Sequence, residues 1–192
     1  MKTIFQKIWQ LAEPYLNTRK NNIHTKISTE FAYRLLEKEG GDQDIVIPAI
    51  ILHDVGWKRV PENLQLEAFG PKATSPESNR LHGVEGAKIA KDILERVNYD
   101  EDRIEEILEI IDGHDSRKEA ISLNDKLVKD ADKLWRCSEE GFYIDIERFE
   151  VNFVEYLNII RSKLQKWLFT NSAKEIAREE IKNRVKELDD TI

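Results

Sequence analysis

The sequence predicts an all-α fold, a helical bundle with a C-terminal helical extension. Apolar residues recur at three- and four-residue spacing along nearly the whole chain. The one stretch rich in β-branched residues has no second strand to pair with. A composition of 40% hydrophobic and 35% charged residues suits a soluble, helix-rich protein, and 192 residues suffice for one well-buried core.

Ile4, Ile8, Leu11 and Tyr15 give a first amphipathic helix. A second runs from about His24 to Glu39, with Ile27, Phe31, Leu35 and Leu36 on one face, and stops at Gly40-Gly41. Residues 44–58 (DIVIPAIILHDVGWK, less the first and last residue the most apolar run) predict a helix buried on nearly all sides, with Pro48 near its first turn. Residues 61–80 hold Pro61, Gly70, Pro71 and Pro76, which break helical periodicity. A loop that long inside a compact domain predicts an active-site lid. Helical spacing resumes over 82–97, 101–113 and 122–137. Beyond Gly141 the last segment reads as two helices broken near Thr170-Asn171-Ser172, with Ser172 as the N-cap. There is no internal repeat and no low-complexity tract.

The net charge of −7 argues against a nucleic-acid polymer as partner, since binding by counterion release needs a basic surface. A small anionic substrate stays compatible, because divalent cations reverse the local sign. The single cysteine, Cys137, excludes an intramolecular disulfide and a thiolate zinc cluster, and reads as a buried hydrophobe. No apolar run approaches a membrane span, and the N-terminus lacks a signal-peptide pattern, so a cytoplasmic location and no membrane partner are expected.

All four histidines fall into one ordered set with acidic residues: His24, the pair His53-Asp54, His82, His114, then Asp130 or Asp132 in KDADKLW. Imidazole is the commonest metal-binding side chain. The donors are nitrogen and oxygen only, which favours iron, manganese, zinc or magnesium. Adjacent residues on a helix diverge by about 100°, so the carboxylate of His53-Asp54 is able to bridge two divalent ions about 4 Å apart, as in two-metal hydrolysis. Water on open positions of such ions is the expected nucleophile.

On these residues the chain resembles the HD superfamily of metal-dependent phosphohydrolases, over residues 20–137. HDVGWK (53–58) is similar to the central HD motif, HGVEGA (82–87) and IIDGHD (110–115) to the segments that carry the third and fourth histidines, and KDADKLW (129–135) to the closing motif. The resemblance implies His24, His53, Asp54 and Asp132 around one ion, with Asp132 preferred to Asp130. It implies His82 and His114 around a second, with Asp54 shared. The arrangement is that of the bimetallic branch, with residues 1–140 as the HD hydrolase domain and 141–192 as helices packed on the same core.

Two departures argue against cyclic-dinucleotide hydrolysis. Trp57 stands where that branch has lysine, and DSRKEA follows His114 without a second adjacent histidine or a glycine-tyrosine-proline motif. The set is closer to the small bacterial branch that includes diadenosine-tetraphosphate hydrolases, and HD-fold di-iron oxygenases share it. The leading expectation is hydrolysis of a phosphomonoester or phosphoanhydride of a nucleotide. The alternatives are a mixed-valence di-iron oxygenase and a non-catalytic nucleotide-binding protein. A homodimer is compatible with all of them.

Around this set, Lys58 and Arg117 are the first choices for phosphate contacts, ahead of Arg59, Lys72 and Arg80. Asp112 and Asp115 flank His114 and are placed to orient its imidazole or to face solvent. Trp57 is placed to stack on a base or to pack in the core or lid.

Overall fold

The computed structural model describes residues 1–65 and 76–189, and every regular element among them is helical. Ten α-helices follow one another: α1 (Thr3–Leu16), α2 (Asn21–Glu39), α3 (Gln43–Leu52), α4 (Glu62–Gln65), α5 (Pro76–Arg96), α6 (Glu101–Gly113), α7 (Leu123–Leu134), α8 (Glu139–Phe149), α9 (Phe153–Trp167) and α10 (Asn171–Asp189). Short 3₁₀ turns cover Val55–Arg59 and Trp135–Cys137.

The central element is α3, whose residues from Ile45 to Leu52 are all buried. It packs against α1, α2, α6 and α7. That explains its lack of a polar face: a helix enclosed on all sides has no side to keep hydrophilic. One apolar cluster joins Phe5 and Ile8 of α1, Ile47 and Ile50 of α3, Ile107 and Ile111 of α6, Leu127 and Leu134 of α7, Tyr156 and Ile160 of α9, and Ile176 and Ile181 of α10. The C-terminal helices therefore share their core with the N-terminal ones.

Helix starts follow from local chemistry. The side chains of Asp42, Ser122, Ser138 and Asn152 accept hydrogen bonds from the first-turn amides of Asp44, Asp125, Gly141 and Glu155. Gly40 and Gly41 end α2 with φ of 77° and 101°, a region that side chains disfavour.

The structure changes several expected boundaries. The helix predicted over 44–58 ends at Leu52, and His53-Asp54 lies at its C-terminus ahead of the 3₁₀ turn. Gly56 permits that turn: a Cβ there would lie 1.9 Å from the His82 carbonyl oxygen and 2.5 Å from the Gly86 nitrogen, so α5 sits against bare backbone. Helix α5 starts at Pro76, six residues before the expected start, since proline is tolerated in a first helical turn. Residues 62–65 form one helical turn, and the remainder of the predicted lid, residues 66–75 with Lys72, lies outside the described residues.

The predicted two-helix C-terminal segment is in fact three helices. Gly141 lies inside α8, and the missed break is at Glu150, in the left-handed region at φ 52°, just before the Asn152 cap. Thr170, rather than Ser172, caps α10 by accepting from the Ala173 amide through its hydroxyl.

Asp130 of α7 is fully buried and turned toward the α9–α10 connection. It accepts from the Phe169 and Thr170 amides and from the Thr170 hydroxyl. Burial lifts its carboxyl to about 6 against the pull of those donors. Asp130→Ala leaves three donors, two of them buried, without an acceptor and is expected to lower stability by about 2–4 kcal/mol. Urea denaturation checks this, and an unchanged midpoint contradicts the assigned role.

Candidate metal centre

Five elements deliver the expected ligands to one place: α2 carries His24, the end of α3 carries His53 and Asp54, α5 carries His82, the end of α6 carries His114, and α7 carries Asp132. All six residues are buried, none more than 7% exposed. Their ligating atoms form overlapping groups, each within 4.8 Å: His24, His53 and Asp132; His53, Asp54 and His114; His82, His114 and Asp115.

Individual contacts fix the arrangement. His24 Nε2 lies 2.8 Å from His53 Nε2, 3.3 Å from Asp132 Oδ1 and 3.4 Å from Asp54 Oδ2. His82 Nε2 lies 3.1 Å from His114 Nε2. Asp54 Oδ1 is 3.7 Å from His53, 3.6 Å from His114 and 3.9 Å from His82, all at Nε2. Asp54 thus stands between the two imidazole pairs.

The tautomers of two rings follow from their backbone contacts. His53 Nδ1 is 2.7 Å from the Ile50 carbonyl oxygen, and His114 Nδ1 is 2.7 Å from that of Ile111. A carbonyl only accepts, so each Nδ1 carries a proton and each Nε2 is the ring nitrogen turned to the cluster. Both histidines follow a helix C-terminus, where carbonyls lack intrahelical donors, and the imidazole N–H supplies one. Facing ring nitrogens at these separations need a proton or a cation between them. The donor set, nitrogen and carboxylate oxygen without sulfur, fits a hard or borderline divalent metal.

Protonation responds unevenly across the cluster. Burial opposes a charge on His53, but Asp54 and Asp132 outweigh it and raise the ring to about 9. Burial dominates for His24, which is lowered, and for His82, which falls to about 4 with the help of neighbouring His114. Burial would raise Asp54 and Asp132, yet the imidazoles and Lys133 carry both well below the usual carboxylate range. The pocket therefore keeps its carboxylates ionised and ready for a cation.

Asp115 has a different place from either one expected of it. Its Oδ2 lies 3.8 Å from Nε2 of both His82 and His114, on the ligating side of the rings. It stands with the candidate ligands, while backbone carbonyls orient the His53 and His114 rings. Asp112 is turned outward to pair with Arg80 through both carboxylate oxygens. Trp57 donates from Nε1 to Asp54 Oδ1 at 3.0 Å and stacks on His82 with ring centroids 4.0 Å apart. With the Arg19 guanidinium 3.9 Å from its ring centroid and 2% exposure, it has no face to offer a base.

The expected phosphate contacts are not brought to the pocket. Lys58 and Arg59 are exposed on the 3₁₀ turn, and Arg117 pairs with Asp125 and Glu109. The pocket beside the ligands is lined instead by Arg19, Lys133, Arg136 and Arg148. Lys133 bridges Asp115 and Asp132. Arg136 and Arg148 share Asp145, which also accepts from the Tyr156 hydroxyl at 2.5 Å. Arg19 and Lys20 are consecutive residues at φ 53° and 59°, a conformation that costs an L-residue roughly 1–2 kcal/mol. Arg148 donates to the Arg19 carbonyl at 2.7 Å and Glu147 pairs with Lys20, so α8 holds this turn in place. Only the left-handed turn and the late position of α8 would have revealed these cations, and neither has a sequence signature. Lys129, buried at 3% exposure, donates to the carbonyls of Gly113, His114 and Arg117 and so fixes the backbone beneath His114.

Comparison with known proteins agrees with this geometry. A family model described as the HD domain matches residues 22–136. A crystal structure described as a predicted HD superfamily hydrolase from an uncultured Thermotogales bacterium is similar with a TM-score of 0.66. It shares 18% identity, over 97% of this chain and 90% of that one, a likeness that speaks for the fold. No curated protein matches. Since the family model spans more than half of the sequence and takes in all six expected ligands, this chain belongs to the HD domain family.

Proposed function

We propose that the chain is a metal-dependent phosphohydrolase that cleaves a phosphomonoester or phosphoanhydride bond of a small phosphorylated compound such as a nucleotide. One observation carries the reading: a buried set of imidazoles and carboxylates, joined through Asp54, adjoins a pocket lined by four cationic side chains. His24, His53, Asp54 and Asp132 would hold one divalent ion; His82, His114 and Asp115, with Asp54 shared, would hold the second.

Bound there, such ions supply charge for the phosphoryl oxygens and lower the pKa of water. The reaction joins a water oxygen to phosphorus while the bond to the leaving oxygen breaks. One water proton is lost to a pocket carboxylate or solvent, and the leaving oxygen takes one up. The residues of the chain set the field in which this happens. Lys133, kept charged by Asp115 and Asp132, and the Asp145-held pair Arg136 and Arg148 favour an anionic group at the mouth of the pocket. Burial keeps bulk water from screening these charges.

His53→Ala or Asp54→Ala is expected to lower manganese-stimulated phosphatase activity by about a thousandfold or more while helical circular dichroism is retained. Full activity in either variant contradicts the proposal. The pH dependence has a definite sign. The raised His53 ring holds its proton below about 9, so an incoming ion has to displace it. Mn²⁺ affinity is expected to fall about tenfold per pH unit on descending from 9 toward 7, with a proton released on binding. Calorimetry in buffers of different ionisation enthalpy measures that proton, and a pH-independent affinity contradicts it.

A further inference from the structure

Metal binding leaves two side chains in the pocket unexplained. Asn21 opens α2 and Trp135 opens the 3₁₀ turn after α7; both line the pocket and are buried, at 3% and 2% exposure. The Asn21 Nδ2 and Trp135 Nε1 atoms have no hydrogen-bond partner among the described residues. An indole N–H and the NH₂ of a carboxamide only donate, so these two nitrogen atoms call for an acceptor. Donors buried without an acceptor destabilise a fold, so their presence marks where an acceptor-rich group belongs. Trp135 stands edge-on to His24, with ring centroids 4.6 Å apart at 78°, so its indole is beside the ligand set.

The space around them is divided in two. The inner cavity, against Asp54, Asp132 and His24, has a volume of only about 30 Å³. An outer cavity of about 290 Å³ is lined by Lys20, Ile144 and Glu147, and it shares Arg19 and Arg148 with the inner one. The inner space suits one compact group. The outer space is at the small end of what organic ligands occupy. The two arginines line both.

We propose that the site takes terminal phosphoryl groups: the Asn21 and Trp135 N–H groups hold non-bridging oxygens in the inner cavity, and the leaving group passes Arg19 and Arg148 into the outer cavity. This rests on the phosphohydrolase reading and narrows it to monoesters and terminal anhydrides. Water oxygen joins phosphorus, the bond to the leaving oxygen breaks, that oxygen departs protonated through the outer cavity, and inorganic phosphate stays with the donors. A diester has a second substituent on phosphorus, for which the inner cavity has no room.

Trp135→Phe keeps the aromatic packing on His24 and removes only the N–H. With manganese-loaded protein, calorimetric titration of inorganic phosphate is expected to show about tenfold weaker binding in Trp135→Phe and in Asn21→Ala, with an unchanged Mn²⁺ isotherm and a melting temperature no lower than wild type in Trp135→Phe. Ile144→Trp, which narrows the outer cavity without touching the Glu147–Lys20 pair, is expected to raise KM for p-nitrophenyl phosphate while leaving phosphate affinity unchanged. The wild type is expected to prefer p-nitrophenyl phosphate over bis(p-nitrophenyl) phosphate by about a hundredfold in kcat/KM. Turnover with equal use of both esters, or wild-type phosphate affinity in Trp135→Phe, overturns the subsite assignment alone. Absence of both phosphate binding and turnover in the wild type overturns the phosphohydrolase reading and the subsite with it.

Discussion

Like charges and facing lone pairs are crowded into a buried space, and the rest of the structure is arranged around that constraint. Asp54, Asp115 and Asp132 converge with four imidazoles, two pairs of which meet nitrogen to nitrogen at 2.8 and 3.1 Å. Removing ionised carboxylates from water is costly unless they are paired or bind a metal. The fold meets part of that cost with Lys133 and with Trp57, which donates to Asp54. Divalent cations would meet the remainder. A single device fixes two of the candidate ligands. A helix ends, its exposed carbonyl takes the Nδ1 proton of the following histidine, and Nε2 is turned inward.

Helix α7 serves both halves of the protein. Asp132 faces the ligand cluster, Asp130 fastens the α9–α10 connection, and Lys129 holds the backbone around His114. The C-terminal helices are bound to the site by a second path. Asp145 of α8 gathers Arg136, Arg148 and Tyr156, and Arg148 in turn supports the left-handed turn that carries Arg19. Cationic side chains that border the pocket thus depend on helices that contribute none of the candidate ligands.

Much of the fold was legible because its helices are amphipathic or wholly apolar over long stretches. The boundaries that were misread share a cause: tertiary contact overrode local pattern. Close approach of α5 to Gly56 ended α3 early, and the cap at Asn152 split a run whose periodicity hid the break. The histidine–aspartate set that meets in the pocket was legible because histidine is rare here and its spacing carries a family pattern. The role of Asp115 was not, since an acid next to a histidine reads equally well as an orienting partner. Arg19, Asn21, Trp135 and Arg148 were illegible for a simpler reason. Their relevance arises from two segments about 130 residues apart that touch only in the folded chain.

The central claim is that these side chains form one cation-binding centre. Elemental analysis and native mass spectrometry of protein purified without chelators test it directly. The account predicts two divalent ions per chain in the wild type, and loss of bound metal from Asp54→Ala, the carboxylate placed between both imidazole pairs. A folded wild-type protein that retains no metal, or an Asp54→Ala variant that keeps the full complement, would contradict it.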